Sequence, residues 1–249
     1  MKKILIPFLA LLIAVISAIQ LVKLNTSIEE EQQALNQLKP SEISMPLNEN
    51  DSAKAECPAI LNESLAALKE QNDDFVCWIS IDGTKIDYPV MQGSPDSPDF
   101  YLHHDFNKDD SESGLPYLNV DCNLSSTAIL VYGHNMKNGS MFAGLLKFAD
   151  EKYYQEHNVI RLETPQDTRE FRIVSAFYDR VYYQDEDVFK YYNYVGDLGD
   201  AAFSDFVKNV KEKSLYDTGI TPSFGDQLLI LSTCAYHVSN GRFVVVAVR

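Results

Sequence analysis

Basic residues are scarce in this chain. Twenty-one Lys and Arg stand against 36 Asp and Glu, a formal net charge of −15. Three of the basic residues, Lys2, Lys3 and Lys23, flank an apolar N-terminal stretch, and no acid precedes Glu29. The rest of the chain is therefore more acidic still. Such a surface repels nucleic-acid phosphates and anionic membrane surfaces, and no local basic patch offsets it, so no nucleic acid is expected as a partner. Cysteine is sparse too. Cys57, Cys77, Cys122 and Cys234 are too few to staple a domain of this size, and none sits at C-x-x-C spacing, which disfavours a zinc knuckle. A Cys57–Cys77 bridge stays open. Adjacent His103 and His104, followed by Asp105, do not make a metal site, because neighbours on a strand point to opposite faces. The acidic pair Asp109-Asp110 is no persuasive calcium site. Neither a metal nor another cofactor is implied, and no internal repeat is visible.

What the chain has first is an apolar run, Ile4 to Val22, broken only by Pro7, Ser17 and Gln20. Its length is close to what a spanning helix needs, and the lysines before it favour an N-inside orientation. A cleaved signal peptide is the rival, but no clear A-x-A site follows. The expectation is a single-pass anchor at the cell membrane with the folded part outside. The organisation then reads as 1–3 cytoplasmic, 4–22 transmembrane, 23–57 stalk and linker, and 58–249 folded domain. Within the stalk, Ser27 and Glu30 form a capping-box pattern, while Pro40 and Pro46 among Ser, Asn and Glu mark a linker.

Pro58 suits a helix first turn, and Ile60, Leu61, Leu65 and Leu68 share one helical face. From Phe75 the signals turn to β. Phe75–Ile81, the Asp82-Gly83 turn and Lys85–Met91 read as a hairpin. Further β-like runs are 128–132, 159–162, 171–178, 227–232 and 242–248. Two helical stretches interrupt them. One runs from Ser140 to about Asp150. The other starts near Asp200, with Phe203, Phe206, Val207 and Val210 on one face and Lys211 and Lys213 in its last turn. Short, numerous strands with a few inserted helices imply a mainly β barrel or sandwich.

Three residues could carry chemistry. Cys234 closes the buried-looking run Leu228-Leu229-Ile230-Leu231-Ser232-Thr233, so it is held rigidly at a strand end. It reads either as a half-buried structural thiol or as a nucleophile, and a nucleophile needs a nearby cation or base. His134 follows the β-run and Gly133, and its imidazole titrates near neutrality as a general acid–base must. His237, three residues past Cys234 in a turn, is awkwardly placed for a base, and His157 reads as a surface residue. Arg242 opens the last strand eight residues after Cys234, where a hairpin-like return brings a fixed cation beside the thiol. Alone, it reads as a solvated strand-end arginine.

Together these residues carry a resemblance. Leu231-Ser232-Thr233-Cys234 fits the sortase signature T-L-x-T-C at all but its first position, where Ile230 stands. Arg242 lies where sortases keep their arginine. Tyr132-Gly133-His134-Asn135-Met136 with Gly139-Ser140-Met141-Phe142 is similar to the histidine segment of class B sortases. Two further class B blocks are the stretch from Trp78 to Val90 and Tyr101-Leu102-His103-His104-Asp105-Phe106 with Gly114. The resemblance runs from about Pro58 to Arg249. It implies a closed eight-stranded sortase-type β-barrel with an N-terminal helix and a long helix before the nucleophile strand, with His103 and His104 structural or groove-lining. It implies a cysteine transpeptidase that cleaves a C-terminal sorting-motif peptide after Thr and passes the acyl group to a peptidoglycan-precursor amine or a pilin lysine. Cys234 is then nucleophile, His134 general acid–base, and Arg242, with the Ala235 backbone N–H, the oxyanion support. Ser232 and Thr233 are candidate substrate-binding residues, and the tyrosine-rich 182–194 segment a candidate groove wall. A cysteine peptidase releasing the free acid and a non-catalytic surface-binding β-domain stay open as alternatives.

Overall fold

The computed structural model describes residues 15–17, 20, 22, 26, 29–40 and 62–249. It divides into two compact units, Met1–Lys39 and Pro40–Arg249. In the first, 29–38 are helical. The expectation of a membrane span, and with it of a single-pass cell-membrane protein with its folded part outside, is corrected here. A bilayer core asks for about 20 consecutive apolar helical residues, and among the described residues no helix is long and apolar enough to cross a membrane. Most of the 4–22 segment lies outside the described residues, as do residues 41–61, which hold most of the expected linker together with Pro58, Ile60 and Leu61.

The second unit opens with helix α1 (Glu63–Gln71), which Asn62 caps by accepting the Leu65 N–H on its side chain. Leu65 and Leu68 are its buried face. Asn72, just past its end, donates to the Tyr101 hydroxyl at 3.0 Å and to the Phe106 carbonyl at 2.7 Å, which ties the helix to the loop around residue 102.

Eight strands close into a barrel: β1 (Phe75–Ser80), β2 (Asp87–Met91), β3 (Tyr117–Leu118), β4 (Ala128–Tyr132), β5 (Val159–Glu163), β6 (Thr168–Arg180), β7 (Leu228–Cys234) and β8 (Gly241–Val248). Their order around the barrel is β1-β2-β3-β4-β7-β8-β6-β5. The β2–β3 and β4–β7 pairs are parallel, and the other pairings are antiparallel. The expected hairpin is present as β1 and β2. β3, two residues long, had no sequence signal. β6 runs well past the expected 171–178 at both ends.

The expected helix from Ser140 to about Asp150 is present as a shorter helix of 3-10 type, and a second helix that was not expected follows it. Phe142–Ala149 is a 3-10 helix, and Asp150 then caps a new helix, α2 (Glu151–Glu156), by accepting the Lys152 N–H. Helix α3 (Asp200–Lys213) stands as its period predicts, with Lys211 and Lys213 in the last turn.

β7 is apolar on both faces because both are covered. Leu228 and Ile230 join Val244, Val246 and Val248 of β8 in one cluster with Phe203, Phe206, Val207 and Val210 of α3. Leu229 and Leu231 take the other face and are fully buried. Phe206→Ala is expected to destabilise the protein by about 3–5 kcal/mol in denaturant unfolding, the cost of a large cavity under α3. A loss below about 1 kcal/mol would mean that α3 does not hold this face of the sheet.

Candidate active site

The site grows from the β4–β7–β8 end of the barrel. Along β7, residues 228, 230, 232 and 234 alternate onto one face, so Cys234 is the last member of the row that α3 covers lower down. Its neighbours Ser232 and Thr233 are buried, and Cys234 itself is partly exposed. Directly across the antiparallel ladder, Cys234 pairs with Arg242. Facing residues share one side of the sheet with Cβ atoms about 4.5–5.5 Å apart. The turn between them makes this register. The Ala235 N–H donates to the Gly241 carbonyl at 3.0 Å. A Cβ at Gly241 would lie 2.1 Å from the Ala235 carbonyl oxygen, so only glycine closes the turn this tightly. The Arg242 guanidinium donates through Nη1 to the Gly241 carbonyl at 3.0 Å.

His134 comes from the neighbouring parallel strand. β4 and β7 run in register to Tyr132 and Ser232, and the chain is then fastened on both sides of His134. Gly133 N–H donates to the Ser232 carbonyl at 3.1 Å, and the Thr233 hydroxyl donates to the Gly133 carbonyl at 2.7 Å. Beyond it, the Asn135 side-chain amide donates to the Cys234 carbonyl at 2.9 Å. The Phe142 ring sits 2.7 Å from where a Cβ on Gly133 would be, so a side chain there would push the histidine loop off the strand end.

The imidazole itself meets the Leu102 carbonyl through Nε2 at 2.9 Å. A carbonyl only accepts, so Nε2 carries a proton and Nδ1 is left as the exchanging nitrogen of the neutral ring. The His103 ring centroid lies 5.9 Å away. Burial holds the His134 pKa below 6.5. The Leu102 bond opposes this and the charge of His103 adds to it. The protonated ring is thus disfavoured in the fold. The corresponding stability is whole above pH 6.5 and is lost as pH falls through the lowered pKa. An NMR titration is expected to place the His134 midpoint below 6.5, and a midpoint above it would contradict this environment.

Other expectations change on inspection. The Ala235 N–H is already bonded across the turn, so it is not free to meet an oxyanion in this arrangement. The Ser232 hydroxyl is buried against the Tyr191 hydroxyl at 2.7 Å, and that of Thr233 is spent on Gly133. Both hydroxyls brace the strand end from within. In the tyrosine-rich segment, Tyr191 is buried in the α3 cluster, Tyr182 bonds Asp179, and Tyr183 stays exposed. His104 stacks on Phe100. Cys77, the possible partner of Cys57, is a free thiol, and Cys57 lies outside the described residues. Burial pushes the Cys77 thiol up to about 12 and that of Cys122 up to about 11. Asn135 and the Leu102 carbonyl hold the site without a role expected from the sequence. Asn135 lies next to His134, where a polar side chain at a strand end was the available signal.

A partly exposed thiol, an imidazole and a guanidinium on three neighbouring strand ends of a closed eight-stranded barrel suit covalent acyl transfer through a thiol. Residues 79–249 match the sortase domain. Sortase B of Listeria monocytogenes is 32% identical over 201 residues, 78% of this chain and 77% of that one. A mutant form of Clostridium perfringens sortase B superposes with a TM-score of 0.67 at 34% identity, covering 75% of this chain and 86% of that one. The Staphylococcus aureus sortase B–substrate complex gives a TM-score of 0.65 at 25% identity, over 76% and 85% of the two chains. The chain belongs to the sortase family. Within it, the chain is a class B enzyme, a cysteine transpeptidase.

Proposed function

We propose that this enzyme cleaves a C-terminal sorting motif after its Thr and transfers the acyl group to a primary amine of a cell-wall precursor. The observation that carries the proposal is the cross-strand pair Cys234–Arg242 with the His134 loop bonded to the same strand end. Cys234 Sγ attacks the Thr carbonyl carbon, and its proton goes to His134. The carbonyl oxygen takes up negative charge next to the Arg242 guanidinium. Collapse breaks the C–N bond, His134 returns the proton to the departing amine, and a thioester on Cys234 remains. The incoming amine attacks that thioester and gives its proton to His134. Sulfur leaves as the thiolate and is reprotonated, which restores the resting enzyme. Ser232, Thr233 and Asn135 keep the strand end and the histidine loop in register throughout. A sortase B solved with its substrate is among the similar structures, which supports a peptide as the acyl donor.

The test incubates the purified protein with sorting peptides of the N-P-x-T-N, L-P-x-T-G, S-P-x-T-G and P-P-x-T-G types, with and without glycine or diaminopimelate amines, and reads products by mass spectrometry. Cleavage after Thr with an amine adduct is the expected result. Free acid alone, at any amine concentration, would replace transfer by hydrolysis.

A further inference from the structure

β8 lies between β7 and β6, and Arg242 faces a residue on each side. Cys234 is its partner on β7 and Asp179 its partner on β6. Directly paired residues share a face, so Cys234, Arg242 and Asp179 form one row across three strands. Asp179 is an unusual neighbour. Its side chain has no exposed surface. One oxygen, Oδ1, takes every donor: the Arg180 N–H at 2.9 Å, the Tyr182 hydroxyl at 2.7 Å, and Lys213 Nζ at 3.6 Å. The other, Oδ2, is buried and has no hydrogen-bond partner. A buried carboxylate oxygen without a donor is rare and costly. Meanwhile the Arg242 guanidinium rests on the carbonyls of its own turn, at Gly241 and, more distantly, Asn240.

We propose that Asp179 is a positioning residue for Arg242, its free Oδ2 accepting a guanidinium N–H when substrate occupies the site. A guanidinium offers five N–H donors in a rigid fork. One edge held by Asp179 fixes the plane of the fork and leaves its other edge for the oxygen that becomes negative beside Cys234. No bond is made or broken in this step; a rotation of the Arg242 side chain exchanges the Gly241 carbonyl for the carboxylate. The inference rests on the reading of Arg242 as the oxyanion support.

The test is a double-mutant cycle of Asp179→Asn and Arg242→Lys, with kcat and KM for peptide cleavage and the unfolding midpoint read for each variant. Asn keeps Oδ1 for Arg180 and Tyr182 and puts an N–H donor where Oδ2 was, so it removes the proposed contact together with the charge that faces Lys213, and the unfolding midpoint reads the latter. Asp179→Asn is expected to lower kcat about ten-fold with KM little changed, the loss of one charge-assisted bond made mainly in the transition state. In the Arg242→Lys background the same change should cost about two-fold or less, because the fork is gone. An equal loss in both backgrounds, or no loss in either, overturns the positioning role while leaving Arg242 in place. Wild-type activity in Arg242→Lys and Arg242→Ala alike overturns the reading of Arg242 itself. Should Asp179→Asn not fold, a crystal structure of the wild-type acyl-enzyme decides. A guanidinium N–H within about 3.2 Å of Oδ2 supports the proposal, and an Asp179 Oδ2 still unpartnered there overturns it.

Discussion

Cys234→Ala is expected to remove turnover by at least ~10⁴-fold while leaving the fold unchanged. The side chain sits at a strand end and is partly exposed, so losing its sulfur opens no core cavity. The chemistry, in contrast, has no second route among the described thiols. The two other described thiols are buried on β1 and next to β4, and burial holds them protonated at neutral pH. They cannot stand in as nucleophiles. The same contrast predicts alkylation of the native protein: among Cys77, Cys122 and Cys234, iodoacetamide should modify Cys234 alone, with activity lost in step. Residual turnover in Cys234→Ala above about one part in a hundred would move the nucleophile elsewhere.

The second large effect is expected at Arg242. Truncation to Ala should lower kcat by about 10²–10³-fold, the usual loss when a donor to a developing oxyanion is removed. The geometry makes the estimate sharper than a generic arginine would. The Ala235 N–H is committed to the Gly241 carbonyl, so this amide does not back up the guanidinium. Arg242→Lys should fall between wild type and Ala, since a point charge remains but the fork does not. Rates near wild type for Arg242→Ala would show that the cross-strand cation is a strand-end residue and nothing more.

How much of this could be read from the chain follows from what each feature depends on. The β7 run was legible because a strand buried on both faces is a continuous apolar block, and Cys234 at its end follows by position. Arg242 was legible because the return from Cys234 is short, and the register places the pair face to face. α3 was legible from its i, i+3, i+4, i+7 face. β3 was not, because two residues carry no period. Helix α2 after Asp150 was not, because its six residues bury no side chain and so carry no apolar period. Within the site, contacts made by backbone have no side-chain signature. The Leu102 carbonyl on His134 and the Ala235 amide on Gly241 depend on which loops meet, and only the folded barrel shows that. Ser232 and Thr233 shared the nucleophile's motif and so read as substrate contacts, yet their hydroxyls turn inward to Tyr191 and Gly133. The N-terminal apolar run shows the limit from the other side: its composition suggested a span that no helix among the described residues supplies.

The most direct measurement is the intact mass of the protein after brief exposure to a cleavable sorting peptide without amine, followed by peptide mapping. The expected result is a mass increase equal to the peptide fragment ending in Thr, carried on Cys234 as a thioester and discharged when a primary amine is added, with the fragment recovered as its amide. Turnover with no adduct on Cys234, or an adduct on Cys234 that added amine does not discharge, would contradict it.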